Sequence, residues 1–260
     1  IARKIKLGDF TDLIKLRGRD FQANYEIIQG FYNLEEAQAA GVRVAGKRLR
    51  IAFLNCGAPC CGINAANRAI IMHCLFKGHQ PFAIYNGFSG LIKGDIREVT
   101  LGDGPFLAEK GGSFLGMNRS LPSEDLGLTA YYLQKEQIDG LIIIGGFEAF
   151  TAQLQLTEAR HEYPAFDIPL ICLPATISNN VPGTDFSVGC DTALNIIVNS
   201  ADSLKQSASS SRKRVFVVDV QGGNCGYLAT MGGLACGAVS TYIPEEGIML
   251  KDLMNDIDHL

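Results

Sequence analysis

Two polar loops follow two apolar runs in close succession. Leu141-Ile142-Ile143-Ile144 leads into Gly145-Gly146-Phe147-Glu148, and Leu170-Ile171-Cys172-Leu173 leads into Pro174-Ala175-Thr176-Ile177-Ser178-Asn179-Asn180-Val181-Pro182-Gly183-Thr184-Asp185. Hydroxyls and amides gathered this densely can hydrogen-bond an oxygen-rich ligand. Two further loops have anion-binding composition. In Asn55-Cys56-Gly57-Ala58-Pro59-Cys60-Cys61-Gly62-Ile63-Asn64, glycines between a strand and a helix start let backbone amides approach phosphate, and the helix dipole favours the charge. The loop lacks the GxGxxG spacing and the lysine of a Walker loop, so a tight turn without a ligand satisfies the same residues. In Gly111-Gly112-Ser113-Phe114-Leu115-Gly116-Met117-Asn118-Arg119-Ser120, a glycine-rich turn delivers Arg119, whose planar fork of donors suits phosphate. A bare surface arginine fits that position equally.

The elements that must hold these loops alternate regularly from Leu49 onward. Strands are predicted at 49–56, 81–85, 140–144, 169–173, 214–218 and 239–243 from short apolar runs. Helices are predicted at 64–76, 123–135, 148–162, 187–206, 227–236 and from Leu250 to Leu260, with Glu124 and Asp125 placed where a helix start favours negative charge. Residues 87–116 are glycine-rich with weak periodicity. Such alternation implies right-handed βαβ units and a Rossmann-like three-layer α/β sandwich around a mostly parallel sheet. Continuous apolar strands such as 141–144 fit burial on both faces. In that architecture the loops leaving the carboxyl ends of adjacent strands line the ligand crevice, so the two loops after 144 and 173 mark the expected site. Residues 207–211, mostly serine, read as a polar loop before Arg212-Lys213-Arg214. Arg214, at a strand start, either belongs to that solvated turn or reaches a ligand on a neighbouring subunit.

Residues 1–48 lack this alternation and read as a connector, with short helical pieces at 9–16 and 34–40 around the basic turn Leu16-Arg17-Gly18-Arg19. Residues 1–50 carry ten Lys or Arg against six Asp or Glu, and the remainder thirteen against twenty-one. Arg17 and Arg19 can serve as structural ion-pair donors or grip a phosphate or a partner's carboxylates. The overall charge of −4 gives no global attraction to nucleic acid or anionic membrane. No apolar run approaches the roughly 18 to 20 residues that span a bilayer. Eight cysteines lie at 56, 60, 61, 74, 172, 190, 225 and 236. They form no CxxC pair, so reduced thiols and a cytoplasmic location are expected, with no metal site. With 47% hydrophobic residues in 260 the chain has material for a sizeable core, and its start at Ile1 reads as a piece of something longer.

Several stretches together carry a specific resemblance. They are Gly62-Ile63-Asn64-Ala65-Ala66, Tyr85-Asn86-Gly87-Phe88-Ser89-Gly90-Leu91, Ile144-Gly145-Gly146, the loop 174–185, Gly189-Cys190-Asp191-Thr192-Ala193-Leu194-Asn195 and Gln221-Gly222-Gly223-Asn224-Cys225-Gly226-Tyr227-Leu228-Ala229. In register from about Leu49 to Leu260, they resemble ATP-dependent 6-phosphofructokinase. Tyr163-Pro164-Ala165-Phe166 and Pro244-Glu245-Glu246-Gly247 are similar to fungal subunits. The resemblance implies the phosphofructokinase fold, with 1–48 a connector from a preceding catalytic half and 49–260 an effector-binding domain truncated at its carboxyl end.

The departures from the family pattern point to which half this is. Catalytically active members carry Gly-Gly-Asp-Gly where this chain has Gly145-Gly146-Phe147-Glu148, and that Asp helps hold magnesium. They carry Thr-Ile-Asp-Asn-Asp where this chain has Thr176-Ile177-Ser178-Asn179-Asn180, and the first Asp is the general base. Phosphoryl transfer needs a metal and a carboxylate to take the proton, which Phe147 and Ser178 do not supply. Glu148, one residue along, is expected to enter the helix facing elsewhere. Ala58, within Gly57-Ala58-Pro59 where active members have Gly-Gly-Asp, would crowd a phosphate cradle, and Gly223 stands where they place an arginine. These losses resemble the carboxyl-terminal regulatory half of a eukaryotic subunit, in which a kinase site has become a site for fructose 2,6-bisphosphate. The resemblance places effector contacts at Arg119, Thr176, Ile177, Ser178, Asn179, Asn180, Arg214, Gln221, Gly222 and Gly223, and no catalytic residue or cofactor in this segment. Magnesium and ATP belong to the catalytic half, and homologous subunits in a homo- or hetero-oligomer are the expected protein partners. The alternatives are an independently catalytic sugar-phosphate kinase and a structural half with a vestigial site.

Overall fold

The computed structural model describes residues 48–103 and 107–259, with the isolated positions Ile14, Lys15, Gln22, Tyr25 and Gln29. The connector, including Arg17, Arg19 and the piece at 34–40, lies almost wholly outside the described residues; Ile14 and Lys15 are helical.

The apolar run Arg50–Cys56 forms β1, in which Ala52, Phe53, Leu54 and Cys56 are all fully buried. A strand buried on both faces belongs in the middle of a sheet, and β1 takes that place. Gln80–Ile84 forms β2, Ile96–Glu98 β3, Gly140–Gly145 β4 and Leu170–Pro174 β5, in the spatial order β3-β2-β1-β4-β5. All pairings are parallel except that of β3 with β2. The register sets Cys56 opposite Gly145 and Gly145 opposite Pro174, so the carboxyl ends of β1, β4 and β5 finish level. Three loops therefore leave the sheet side by side.

Helices cover both faces, as the alternation requires. Ile63–Phe76 is α1, Gly87–Leu91 α2, Leu126–Lys135 α3 and Phe147–Glu158 α4. Ala52, Leu54, Phe82, Ile84, Leu141 and Ile143 pack on one face against Phe88, Leu91, Leu133, Ala149, Ala152 and Leu156 from α2, α3 and α4. On the other face Phe53 and Ala83 meet Ile71 of α1 with Val99, Leu107 and Leu115. The expected three-layer arrangement is present. Buried Asn64 ties α1 to the glycine-rich loop: its Nδ2 donates to the Lys110 and Gly111 carbonyls, and its Oδ1 accepts from the Phe114 amide at 2.7 Å.

Sequence and structure part company at several places. The helix expected from Ser123 begins as a single 3-10 turn at Pro122–Glu124, and α3 follows, capped by Asp125, whose carboxylate accepts from the Leu128 amide at 2.8 Å. The weakly periodic region contains α2 and β3, elements of five and three residues that are too short to leave a periodic signal. Cys190–Ser210 is α5, Tyr227–Cys236 α6 and Leu250–His259 α7. The serine-rich loop expected at 207–211 is helical through Ser210, with the Ser209 and Ser210 hydroxyls turned back onto the Gln206 carbonyl. The strands expected at 214–218 and 239–243 are absent: both segments lack a ladder partner among the described residues, and Val215, Val217, Val218 and Val239 are exposed. An apolar run becomes a strand only when another edge pairs with it.

Candidate functional site

The level ends of β1, β4 and β5 open a crevice whose floor can be followed residue by residue. At the β1 end Gly57 is buried with φ +102°, and its amide donates to the Asn118 carbonyl at 2.7 Å. A Cβ placed at Gly57 would lie 3.0 Å from Glu148 Oε2 and 3.7 Å from the Gly146 amide nitrogen, so the loops after β1 and β4 are in contact. A Cβ at Gly146 would lie 3.1 Å from that of Thr176. Thr176 Oγ1 accepts from the Ser178 amide at 3.2 Å. Gly223, at φ +56°, closes the far side: a Cβ there would come within 3.0 Å of Ser178 Oγ. The close approach favours glycine, both for its left-handed backbone and for the missing side chain.

The first wall carries the charge. Arg119 follows the glycine-rich turn and faces Glu148 in the first turn of α4, Nε to Oε1 at 3.3 Å, with the guanidinium largely exposed and the carboxylate half-buried. The expectation that Glu148 faces away is corrected. Its neighbour Phe147 is turned to solvent instead, and α4 projects successive side chains about 100° apart, which swings Glu148 toward the Gly57 loop. Burial, then the Glu148 charge, then Cys172 push the Cys56 thiol up to about 12, so it remains a protonated donor, toward the Ser120 carbonyl. Cys60 is pushed to a similar value, first by burial and then by Cys61 and Cys190. All eight cysteines are free thiols.

Asn118, beside Arg119, ties its own loop to the start of α2. Its Nδ2 donates to the Asn86 carbonyl at 2.9 Å and to Ser89 Oγ at 2.7 Å, while its Oδ1 accepts from the Ser120 amide at 3.1 Å. Sequence inspection assigns it no role. The signal available was an amide, able to donate and accept at once, beside the one arginine of the loop.

The second wall is uncharged and held from within. Asn179, in the left-handed region at φ 50°, donates to the Asp185 carbonyl at 3.0 Å and accepts from the Ser187 amide at 2.8 Å, closing the 178–187 loop on itself. Ser178 is buried, Thr176 and Asn180 are half-buried, and Ile177 packs on the cluster of Cys60, Ile63, Ile144 and Ala175. Gln221 and Gly223 are exposed and Gly222 half-buried. The structure thus brings Thr176, Ser178 and Gly223 together, with Arg119 across the crevice. Arg214 is exposed, and no hydrogen bond or ion pair ties it to the crevice among the described residues. No three His, Cys, Asp or Glu side chains converge on one point among the described residues, and no described helix is long and apolar enough to cross a membrane.

Comparison with known proteins gives this geometry a context. The sequence profile of the family described as Phosphofructokinase matches residues 50–260. The chain is 48% identical to an ATP-dependent 6-phosphofructokinase of Aspergillus fumigatus, aligning over 100% of this chain and 33% of that protein. It is 49% identical to the ATP-dependent 6-phosphofructokinase subunit beta of Saccharomyces cerevisiae, over 100% of this chain and 27% of that one. The solved structure of phosphofructokinase from Saccharomyces cerevisiae superposes with a TM-score of 0.89 at 47% identity, covering 99% of this chain and 34% of its own. The chain thus spans 33% and 27% of the two curated relatives' lengths.

Proposed function

The chain belongs to the phosphofructokinase family, and on that premise we propose that it is the regulatory half of a 6-phosphofructokinase subunit, binding fructose 2,6-bisphosphate. The intact enzyme transfers the γ-phosphoryl group of ATP to fructose 6-phosphate in glycolysis, with magnesium and ATP held by the catalytic half, in a cytoplasmic oligomer of homologous subunits. The observation that carries this reading is the chemistry at two positions. Ser178 is buried against Gly223, where the family resemblance puts a carboxylate base, and Phe147 turns an apolar ring to solvent, where it puts a metal-binding carboxylate. A crevice with hydroxyls and amides on one wall and a guanidinium on the other suits a bisphosphate better than a proton-transfer reaction. Each carboxylate about 4 Å from a phosphate would cost on the order of 1 to 4 kcal/mol, depending on exposure.

Effector binding alters activity only if affinity differs between two states of the assembly. Arg214, exposed and unpaired among the described residues, is placed to meet a ligand or carboxylate on a neighbouring subunit. The test is an intact enzyme whose catalytic half has been inactivated by substitution of its own general base. Retained fructose 2,6-bisphosphate binding with no turnover is expected. Residual magnesium-dependent turnover would overturn the regulatory assignment.

One observation favours a second reading, a kinase site of its own. Glu148 places a carboxylate at the crevice floor, which a metal or a substrate hydroxyl could use. That reading requires the residual turnover just described, and its loss in Glu148→Gln.

A further inference from the structure

Arg119, the cation of the crevice, already has an anion beside it. The Glu148 carboxylate lies 3.3 Å from Arg119 Nε, and its other oxygen rests against Gly57 at the place where the loop after β1 would present its amides to a phosphate. The contact is loose. It meets ion-pair distance without a hydrogen bond between the two side chains, and the arginine side chain is 74% exposed. Exposed pairs of this kind contribute little to stability, so the guanidinium forfeits little by exchanging partners. The carboxylate, 29% exposed and set in the first turn of α4, is held at the floor by its own helix and stays near any anion that enters.

We propose that Glu148 is a built-in competitor for Arg119: a ligand's phosphoryl group must displace its carboxylate, and Glu148 thereby sets the affinity threshold for anions in this crevice. A ligand with two phosphoryl groups has a second anchor to offset the exchange, whereas a single phosphate has none. Glu148 is an affinity-setting residue under this proposal, which rests on the reading of the crevice as a bisphosphate site. It also gives the half-buried carboxylate a role that a structural ion pair would not require.

The experiment is calorimetric titration of the intact subunit with fructose 2,6-bisphosphate and, separately, with inorganic phosphate, on wild type, Glu148→Gln, Arg119→Ala and the double variant. Glutamine keeps the size and removes the charge, and thermal unfolding without ligand confirms that each variant is folded. Glu148→Gln is expected to bind both anions about two- to fivefold more tightly, the scale of releasing Arg119 from one partly exposed ion pair. Inorganic phosphate then competes with the bisphosphate at concentrations that have no effect on wild type. Arg119→Ala is expected to weaken bisphosphate binding, and adding Glu148→Gln to it to restore nothing. If Glu148→Gln binds equally or more weakly while Arg119→Ala loses affinity, the carboxylate orients the arginine and the competitor proposal is overturned, though the bisphosphate site stands. A gain from Glu148→Gln that persists without Arg119 overturns it as well, since the carboxylate then acts on the ligand alone. If Arg119→Ala changes nothing, the site reading fails at this residue and the proposal with it.

Discussion

The two walls of the crevice solve the same problem by different means. The wall built from the loops after β1 and β4 and the glycine-rich loop before α3 is charged and cross-braced: Gly57 leans on Asn118, Asn118 on Asn86 and Ser89, and Arg119 on Glu148. The wall built from the loop after β5 is neutral and braced within itself through Asn179. The first wall shares its supports with the centre of the sheet, while the second touches its neighbours where Thr176 meets Gly146 and Ser178 meets Gly223. A ligand that spans the crevice would meet a cation with a competing anion on one side and uncharged hydrogen-bonding groups on the other. Charge in this site is concentrated on one wall, and shape on the other.

Disabling a brace should separate the two walls. Asn118→Ala removes three side-chain hydrogen bonds and is expected to lower stability by about 2 kcal/mol, since each partly exposed bond contributes roughly 0.5 to 1; urea unfolding of the intact subunit measures it. A loss below a few tenths would mean that the first wall is not held by this residue. Gly223→Ala on the other side forces a left-handed alanine toward Ser178, at a cost of about 1 kcal/mol. Bisphosphate affinity should fall with it, and unchanged affinity would detach Gly223 from the site. Asn179→Gly keeps the left-handed backbone and opens only the internal brace, with an expected loss of about 1 kcal/mol and no change in the first wall's amide exchange. Propagation of exchange to Gly57 would contradict the independence of the walls.

The smallest effect concerns the thiols beside the first wall. Burial holds Cys56 and Cys60 near 12 and Cys172 near 11. A raised thiol stays protonated until pH nears its folded value, so at pH 8 only about one Cys56 in ten thousand is thiolate. Alkylation at pH 8 should label exposed Cys61 first, and Cys56 only on unfolding.

The sheet was legible because its central strands are apolar without interruption, as in Leu141-Ile142-Ile143-Ile144, and because glycine and proline punctuate their ends. The crevice followed from the order of those strands. The segments at 214–218 and 239–243 have the same apolar composition, yet among the described residues they pair with nothing, since composition does not supply a hydrogen-bonding edge. Glu148 was misjudged for a related reason: one step along a helix changes the facing direction by about 100°, and the direction depends on where α4 starts. It starts at Phe147, one residue earlier than the pattern predicts.

The central claim is that the crevice kept the shape of a kinase site and exchanged its carboxylate chemistry for anion binding. The most direct measurement is calorimetric titration of the intact subunit with fructose 2,6-bisphosphate, wild type against Ser178→Asp. A carboxylate returned to the neutral wall beside Gly223 should weaken binding about tenfold or more, by placing a like charge near the ligand. An unchanged affinity would contradict the assignment of this loop to the bisphosphate.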